Sequence, residues 1–252
     1  MITIRLHTPG LDGLAVDELE PPTAAPGETL VRVRAAALTR DELEWPVDRL
    51  PAIPSYELSG VDEQGNEVFA LTDFDRDGVA REYATIATAL LAPKPSSLSH
   101  VEAAALPLPA LSAWQALFVH GGLERGQRVL ITGQTGGVGH LAVQLAEWRG
   151  AELVEADADV VFDTAGGEQL ERAKAELRDG GKAVSVAHES DGVTYFVVEP
   201  SSEQLAEISR LAGEGRLRPQ IDSVFPLADA RAAFEHLAER GKKGKVVLEV
   251  SG

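Results

Sequence analysis

Three glycines lie between a predicted strand and a predicted helix, in a pattern that is typical of phosphate binding. Gly133, Gly136 and Gly139 follow the apolar run 128–132 and precede a segment with apolar residues at helical spacing. Glycines there permit a tight turn and let backbone N–H groups approach a pyrophosphate, while the helix N-terminus adds a favourable dipole. A purely structural turn is the alternative, and the strand before the turn and the helix after it favour phosphate binding.

Other residues that could do chemistry form no further motif in the sequence. The six histidines show no HExxH or paired ligand spacing, and no serine has a GxSxG setting or an evident histidine partner. This argues against a metal site and against a hydrolase triad. For Asp41 and Glu42 a solvated face is favoured over acid or base catalysis. His140 either contacts a phosphate or, as is more common for such a residue, caps the first turn of its helix. Tyr56 is either a proton donor to a carbonyl substrate or a packed aromatic residue.

The secondary-structure elements that must position these residues fall into two parts of the chain, which differ in their sequence patterns. Up to about residue 91, short β-type runs alternate with Pro, Gly and Asp clusters, which predicts a small, mostly β domain. A helical segment follows, with Ser99 as its predicted N-cap and interruptions at Pro107 and Pro109. After the glycine turn, strands and helices alternate, which predicts a mainly parallel sheet with helices on its faces. These predicted elements are 159–163, 168–177, 182–187, 193–198, 202–211 and 245–250.

Composition limits the classes of function. The 23 basic and 40 acidic residues of this 252-residue chain give a net charge of −17, which argues against binding to nucleic acid or to anionic membranes. The chain contains no cysteine, which excludes disulfides, thiolate zinc sites, iron–sulfur clusters and a cysteine nucleophile. No apolar run reaches the roughly 18 residues of a membrane span. We therefore expect a soluble, cytoplasmic protein.

Several motifs occur in an order that is typical of one superfamily. ALTRDELEWP begins at Ala37, AIPSYELSG at Ala52 and AAALPLPALSAWQAL at Ala103, and they precede GQTGGVG, VVFDTAGG and the C-terminal segment from Arg218. Together they resemble the medium-chain dehydrogenase/reductase superfamily, in its zinc-independent branch of quinone oxidoreductases and enoyl reductases. The resemblance implies an α/β fold with a GroES-like, mostly β domain at 1–95 and 219–252, its C-terminal segment partly shared with the other domain. Residues 96–218 would form a truncated Rossmann-type parallel-sheet domain.

The resemblance also implies a site for NADP(H) or NAD(H), and no metal. The glycine turn would hold the pyrophosphate, Ser112 and Ala187 would lie near the nicotinamide, and Lys245 lies in a C-terminal strand that contacts the cofactor in relatives. The residues implied for the cofactor are Ser112, Gln134, Thr135, Gly136, Gly137, Val138, Gly139, Thr164, Ala165, Gly166, Ala187 and Lys245.

For substrate binding and catalysis, the resemblance implies a smaller set of residues. Thr39 stands where relatives often carry an asparagine that positions the nicotinamide and the substrate, so Thr39 and Tyr56 are the predicted catalytic residues. Trp45, Trp114 and Phe196 are predicted to face an apolar, quinone or enone substrate.

One segment that relatives contain is missing from this chain. Relatives follow the glycine-turn helix with a second strand, a helix, a third strand and another helix, whereas Gly150 and Asp159 are only nine positions apart here. If 151–154 were a full second strand, the chain would have to return about 19 Å in five Cα steps, which reach about 18 Å. We therefore expect the helix to run directly to Asp159, with Glu155 in a linker rather than at the ribose. The adenosine half of the site would be reduced or absent, and cofactor binding weakened or lost.

These observations lead to three hypotheses about function. The first is an NAD(P)H-dependent, zinc-independent reductase of a quinone or an activated C=C bond, with hydride entering between the domains. The second is a cofactor-independent cyclase or isomerase of a small apolar, polyketide-like metabolite, on a scaffold that has lost its adenosine pocket. The third is a non-catalytic binding protein, since one fold hosts many functions.

The segment 193–198, VTYFVV, is predicted to be an apolar strand at the edge of the parallel sheet. An uncovered strand of this kind offers unpaired backbone groups to another chain. We therefore expect a homodimer that forms through this edge strand.

Overall fold

The structure is a computed structural model that describes residues 1–46, 49–239, 241 and 243–250. Its internal contacts divide the chain into two units. Unit 1 comprises Met1–Leu108, Pro200–Gly213 and Pro219–Gly252, and unit 2 comprises Pro109–Glu199 and Glu214–Arg218. Unit 1 contains a mainly antiparallel sheet and unit 2 a parallel sheet, so the predicted α/β class is confirmed.

The regular elements are numbered here in chain order. The strands are β1 (Ile2–Leu6), β2 (Leu14–Glu18), β3 (Glu28–Leu38), β4 (Glu57–Asp62), β5 (Glu67–Leu71), β6 (Tyr83–Ala87), β7 (Ala92–Pro93), β8 (Arg128–Ile131), β9 (Glu152–Leu153), β10 (Ala158–Asp163), β11 (Leu177–Ser185), β12 (Val193–Tyr195), β13 (Ile221–Pro226) and β14 (Lys245–Glu249). The helices are α1 (His100–Ala104), α2 (Pro107–Trp114), α3 (Gly139–Arg149), α4 (Gly167–Ala175), α5 (Ser202–Gly213) and α6 (Ala230–Ala238), and a π-helical segment at Gln115–His120 follows α2.

The sheet of unit 1 is built around β3, which has 11 residues and is long enough to pair with three neighbours. Its strand order is β13-β14-β3-β4-β5-β7, and β6 also pairs with β3. All these pairs are antiparallel except β13 with β14. Burial alternates from Val31 to Arg34, as expected for a strand with one face on the core, whereas Ala35, Ala36, Ala37 and Leu38 are all buried, so this end of β3 is covered on both faces. The core includes Val31, Val33, Leu58, Phe234, Leu237 and Leu248.

The helical segment after β7 begins as predicted. Ser99 caps α1 through a capping box with Glu102, in which each side chain binds the other residue's backbone N–H. The chain leaves helical structure after α1 and re-enters it at Pro107, as predicted. The predicted interruption at Pro109 is wrong, because Pro109 lies in the first turn of α2, where a backbone N–H has no helical partner to lose.

Residues 96–108 and 200–213 pack in unit 1, whereas the resemblance implied that they belong with the parallel sheet. Helix α1 contacts β3 and β4, and α5 contacts β7. Ser97 Oγ donates to Ala212 O at 3.1 Å, and Ser209 Oγ donates to Pro93 O at 2.8 Å. These contacts attach α5 to the end of the β domain.

The sheet of unit 2 has the strand order β12-β11-β10-β8-β9, and every pair in it is parallel. All six residues of β10 are buried, which is typical of a strand that is covered on both faces. Helix α3 lies against β8 and β9, and α4 lies against β10 and β11. The predicted alternation of strand and helix is therefore confirmed.

The direct run from α3 to Asp159 is wrong, because residues 151–154 contain β9. Strand β9 pairs in parallel with β8, opposite Arg128 and Val129. It has two residues rather than the five that the distance argument assumed, so the chain never leaves the amino end of the sheet. The return passes the start of β8, where the Arg128 guanidinium contacts Ala156 O at 3.1 Å and the carboxylate of Asp157. Glu155 lies in this linker, as predicted.

Strand β12 is shorter than predicted. It ends at Tyr195, and residues 196–198 continue without strand pairing. It forms one edge of the parallel sheet, as predicted. Within the described part of the chain, no helix is sufficiently long and apolar to cross a membrane.

Candidate functional site

The glycine turn of unit 2 is a cradle with no room for side chains at two of its positions. Gly133 has a φ of 63°, and a Cβ built on it would lie 2.4 Å from Thr164 Oγ1. A Cβ on Gly139 would lie 2.1 Å from Gly133 O. The turn therefore closes directly onto the first residue of α3, so that its backbone and the positive end of the helix dipole face the same space.

A buried carboxylate holds this end of the parallel sheet together. Asp163, the last residue of β10, is completely buried. Thr132 Oγ1 donates to its Oδ1 at 2.6 Å, and Ser185 Oγ donates to its Oδ2 at 2.7 Å. The backbone N–H groups of Ala165 and Gly166 donate to the same carboxylate at 3.0–3.2 Å. Asp163 therefore fixes the carboxyl ends of β8, β10 and β11 relative to one another.

The structure brings most of the predicted cofactor residues to that edge. Thr164 Oγ1 donates to Thr132 O at 2.8 Å, beside the glycine turn. Ala187 N donates to Ser185 Oγ at 3.1 Å, and Phe196 N donates to Ser185 O at 3.3 Å. The predicted residues at this edge are Gln134, Thr135, Gly136, Gly137, Val138, Gly139, Thr164, Ala165, Gly166, Ala187 and Phe196.

Asp163 and its partners were not among the predicted site residues. A signal was present, since an aspartate ends the apolar run VVFD and precedes a glycine loop. An acidic side chain at the end of a buried strand needs donors, and the following loop supplies them.

Two further predicted residues, Ser112 and Trp114, lie in α2. Trp114 stacks on Trp148 with ring centroids 5.8 Å apart, and it contacts Phe118 edge to face at 4.9 Å. Trp148 lies near the last residue of α3, about 13 Å along the helix from the turn at its start. Trp114 therefore packs at the far end of α3 from the glycine turn, and its contact with the substrate stays a prediction. Ser112 is buried in α2, and its contact with the nicotinamide stays a prediction.

His140 binds the backbone of the turn, as expected. Its Nδ1 donates to Gly136 O at 2.8 Å, and its own backbone N–H donates to the same carbonyl at 3.2 Å. Burial lowers the pKa of His140 below its usual value. The neutral imidazole therefore stabilises the first turn of α3.

In unit 1, Lys245 contacts Thr39, a predicted catalytic residue, and also Glu57. Its Nζ lies 2.5 Å from Glu57 Oε1 and donates to Thr39 Oγ1 at 3.1 Å. Glu57 Oε2 accepts from Leu108 N at 2.9 Å, and burial raises the pKa of Glu57 while the Lys245 ammonium opposes that rise. The resemblance implies a cofactor contact for Lys245, whereas in the structure its ammonium is buried against these two side chains.

The structure contradicts the solvent exposure predicted for Glu42. Asp41 is exposed, as expected, but Glu42 is buried, so the solvated face predicted for it is wrong. Glu42 Oε2 accepts from Thr39 N at 3.0 Å, and Oε1 accepts from Ser55 N at 3.1 Å. Burial raises the pKa of Glu42 to about 8, against the opposing effect of the Lys245 charge. The carboxyl group is therefore mainly protonated at neutral pH.

The backbone beside Glu42 is strained at two non-glycine residues. Asp41 has a φ of 62° and Ser55 a φ of 65°. Each such residue costs on the order of 1–3 kcal/mol, so the surrounding contacts must enforce it. The Ser55 hydroxyl, which donates to Ala37 O at 2.9 Å, is one such contact. The segments that carry Glu42 and Tyr56 are thus held in one arrangement.

Three aromatic rings pack beside this polar cluster. Tyr56 stacks on Trp45 at 6.0 Å between centroids, and the edge of Phe74 meets both rings, at 5.2 Å from Tyr56 and 5.7 Å from Trp45. Tyr56 is buried, in line with the packed-aromatic interpretation. Phe74 was not predicted, because nothing in the loop sequence DFDRDG marks an aromatic contact.

One serine does have a histidine partner, contrary to the sequence-based expectation. Ser59 Oγ lies 2.8 Å from His100 Nδ1, and His100 Nε2 lies 3.4 Å from Glu67 Oε1. However, Ser59 is completely buried and donates its own proton to Val68 O at 3.1 Å. Since that proton is not directed to the imidazole, this serine is not arranged as a nucleophile.

Comparison with known proteins places this chain among oxidoreductases. Residues 141–248 match a family described as zinc-binding dehydrogenase. The chain is 30% identical over 302 positions to an Arthroderma benhamiae protein named "Probable zinc-binding oxidoreductase, mitochondrial", covering 91% of each chain. It is 27% identical over 298 positions to the Arabidopsis thaliana "NADPH-dependent alkenal/one oxidoreductase, chloroplastic", covering 95% of this chain and 76% of that protein.

A solved structure shares the whole fold. The quinone oxidoreductase from Coxiella burnetii superposes with a TM-score of 0.91 at 24% identity, covering 100% of this chain and 99% of the other. The alignment with the Arthroderma protein has more positions than this chain has residues, so that relative carries residues within the aligned span that are missing here. The superfamily inferred from the sequence is confirmed, and the extra positions of that alignment agree with a shortened chain.

Proposed function

Because this chain belongs to the medium-chain dehydrogenase/reductase superfamily and is an oxidoreductase, we propose that it reduces a quinone or an activated C=C bond with NADPH or NADH. The observation that carries the proposal is the glycine cradle at residues 133–139. Both Gly133 and Gly139 stand where any Cβ would meet other atoms at less than 2.5 Å. Such close packing of strand, turn and helix, at the positive end of a helix dipole, is what a pyrophosphate-binding turn requires.

The residues of the cradle fit a pyrophosphate. Backbone N–H groups of the turn and of the first turn of α3 would bind the phosphate oxygens, and the network of Asp163 would keep the neighbouring loop 164–166 in place. When bound, the nicotinamide would supply a hydride to the substrate. The chain itself would orient the reacting groups and hydrogen-bond the substrate oxygen as negative charge develops on it.

In this proposal, the protein binds the adenosine end of the cofactor more weakly than it binds the pyrophosphate. Strand β9 has two residues, and the connection that follows it lies at the amino end of β8, opposite the edge that carries the cradle. Glu155 is in that connection, so its carboxylate is not available to a ribose beside the cradle. Most of the affinity for the cofactor would then come from its pyrophosphate and nicotinamide.

Zinc, which the matching family's description implies, does not fit the donor groups of this chain. The sequence has no cysteine, and the buried carboxylate of Glu57 is paired with the Lys245 ammonium. A cation beside Glu57 would be repelled by that ammonium. Among the residues that the structure describes, no three His, Asp or Glu side chains are grouped to hold a metal. We therefore propose a reaction without zinc.

The substrate would be held by the polar cluster and by the aromatic rings of unit 1. Thr39 and Tyr56 carry hydroxyl groups that would bind the substrate oxygen, while Trp45 and Phe74 would supply apolar surface. This combination favours a quinone or an enone, which has a polar oxygen at the end of a flat apolar body.

The test is a calorimetric titration with NADPH and NADH at low ionic strength, followed by NADPH oxidation with a panel of quinones and enones. Gly139→Ala is the matched variant that should lose cofactor binding. Micromolar to sub-millimolar binding with turnover of one substrate class supports the proposal. No binding at millimolar cofactor would overturn it and would favour the cofactor-independent cyclase or isomerase.

We also propose that the chain forms a homodimer through β12. This edge strand leaves Tyr195 43% exposed, and Val197 just beyond it is 61% exposed. Both values are high for apolar side chains next to unpaired backbone groups. Light scattering should give twice the monomer mass of 26.8 kDa. A monomer at tens of micromolar would contradict the proposal.

A further inference from the structure

The cluster around Lys245 connects buried ionisable groups to one half-buried hydroxyl. Glu42, Glu57 and Lys245 are all buried, whereas Thr39 is half-buried. Lys245 Nζ donates to Thr39 Oγ1 at 3.1 Å. Thr39 is thus the member through which this cluster can reach a bound molecule.

The hydrogen bond from Lys245 also decides what the Thr39 hydroxyl can do. Since Thr39 Oγ1 accepts a proton from an ammonium, its own hydrogen must point towards a different acceptor. A hydroxyl that accepts from a cation is polarised and becomes a stronger donor. An oxygen that gains negative charge beside Thr39 would therefore meet a donor that is already oriented.

We propose that Thr39 protonates the substrate oxygen and that Lys245 positions and resupplies the Thr39 hydroxyl, an inference that rests on the reductase function proposed above. After hydride addition to the substrate carbon, the substrate oxygen is an enolate or a hydroquinone anion. The Thr39 O–H bond breaks as the new substrate O–H bond forms, and one Lys245 N–H bond breaks as the Thr39 O–H bond is restored. No further oxidant or reductant is needed.

Lys245 regains its proton from solvent through the half-buried Thr39 hydroxyl before the next turnover. Glu42 is not part of this path, because its two carboxyl oxygens accept from the backbone N–H groups of Thr39 and Ser55.

The structural alternative is that Lys245 only joins β14 to β4 across β3. In that case, substitutions of Thr39 and Lys245 would lower stability, and their effects on kcat would be independent of each other. Double-mutant kinetics separate the two roles, because residues on one proton path lose activity together rather than additively.

The experiment compares Thr39→Val, Thr39→Ser and the neutral pair Lys245→Met/Glu57→Gln, which removes the ammonium without leaving an unpaired carboxylate. NADPH binding is titrated for each variant, and kcat and KM are measured with the best quinone or enone. Thr85→Val, a similarly half-buried threonine in β6, is the matched control.

We expect Thr39→Val to lower kcat by about 10²-fold or more with little change in NADPH affinity or KM, in the range of general acid catalysis. Thr39→Ser should retain activity within about fivefold of the parent, since it keeps the hydroxyl. Adding Thr39→Val to the Lys245→Met/Glu57→Gln protein should cause little further loss.

Three results would overturn the inference. They are unchanged kcat in Thr39→Val, strictly additive losses for Thr39 and Lys245, and loss of kcat in Tyr56→Phe when Thr39→Val is fully active. A parent protein that binds no cofactor and reduces nothing would overturn the proposed function as well, whereas an active parent with active Thr39→Val rejects only the proton path.

Discussion

Lys245 and Glu57 form a buried ion pair, 2.5 Å from Nζ to Oε1, with side chains 7% and 0% exposed. They lie on β14 and β4, the two strands that flank β3, so the pair spans the central strand of the sheet. Moving two charges out of water is costly, and the cost is recovered only when both remain together. The pair therefore makes the cluster sensitive to the loss of either partner.

The first prediction follows from this pair. Lys245→Met should lower the free energy of unfolding by about 3–5 kcal/mol, because it leaves the Glu57 carboxylate buried without its counter-charge. Adding Glu57→Gln should recover most of that loss. Urea denaturation followed by circular dichroism measures both, with Lys174→Met, at a more exposed surface pair with Glu171, as the control. Equal losses in the single and double variants would contradict the explanation.

The second prediction concerns the pH dependence of stability. The pKa of Glu42 is about 8 in the folded chain against 4.5 in the absence of burial, so the folded state keeps a proton that the unfolded state has released. The stabilisation is therefore complete below about pH 4.5 and is lost as pH rises through about 8, a change on the order of a few kcal/mol.

Glu42→Gln should flatten this loss between about pH 5 and about pH 9 in thermal unfolding. Glu57 leaves a residual slope of the same sign, since burial raises its pKa too. Glu44→Gln, at an exposed neighbouring position, is the control and should keep the full slope. An unchanged slope in Glu42→Gln would show that Glu42 is ionised in the folded chain.

The third prediction concerns the carboxylate at the carboxyl end of β10. Asp163→Asn puts an amide NH₂ against donors from Thr132, Ser185 and the 164–166 loop, so some of these groups lose their acceptor. We expect a loss of about 2–3 kcal/mol in stability and weaker NADPH binding. Asp179→Asn, at an exposed residue, should change neither property. Unaltered cofactor affinity in a folded Asp163→Asn protein would separate this network from the cofactor site.

The fourth prediction tests the glycine cradle. In Gly139→Ala the new Cβ would lie 2.1 Å from Gly133 O, so the turn must open. We expect the dissociation constant for NADPH to rise at least about tenfold, equivalent to about 1.4 kcal/mol. Gly213→Ala is the matched control, because a Cβ there meets no atom within 4 Å. Calorimetry measures both, and equal affinities would count against phosphate binding by the turn.

The fifth prediction concerns the shortened second strand. If β9 and the connection after it give the adenosine little support, the reduced nicotinamide riboside 5′-diphosphate, which keeps both phosphates and lacks the adenosine, should bind nearly as well as NADPH. We expect affinities within about tenfold of each other, a difference of about 1.4 kcal/mol or less. A much larger preference for NADPH in competition titrations would reveal an adenosine site elsewhere on the chain.

Local features were predictable from the sequence because neighbouring residues determine them. The spacing of apolar residues indicated the strands and helices of both units, and the Ser99 cap and the glycine turn follow from the chemistry of a few adjacent residues. The order of motifs also indicated the fold and the superfamily. These inferences need no knowledge of which distant segments meet.

Tertiary structure alone decided which charges are buried and what they bind. Glu42 is buried because the strained turn before it directs the side chain to Ser55, and Lys245 meets Glu57 only because β14 and β4 flank β3. Likewise, β9 is possible because it stops after two residues, which the distance argument did not consider. Burial and ion pairing depend on contacts far apart in the chain, so local periodicity and spacing do not encode them.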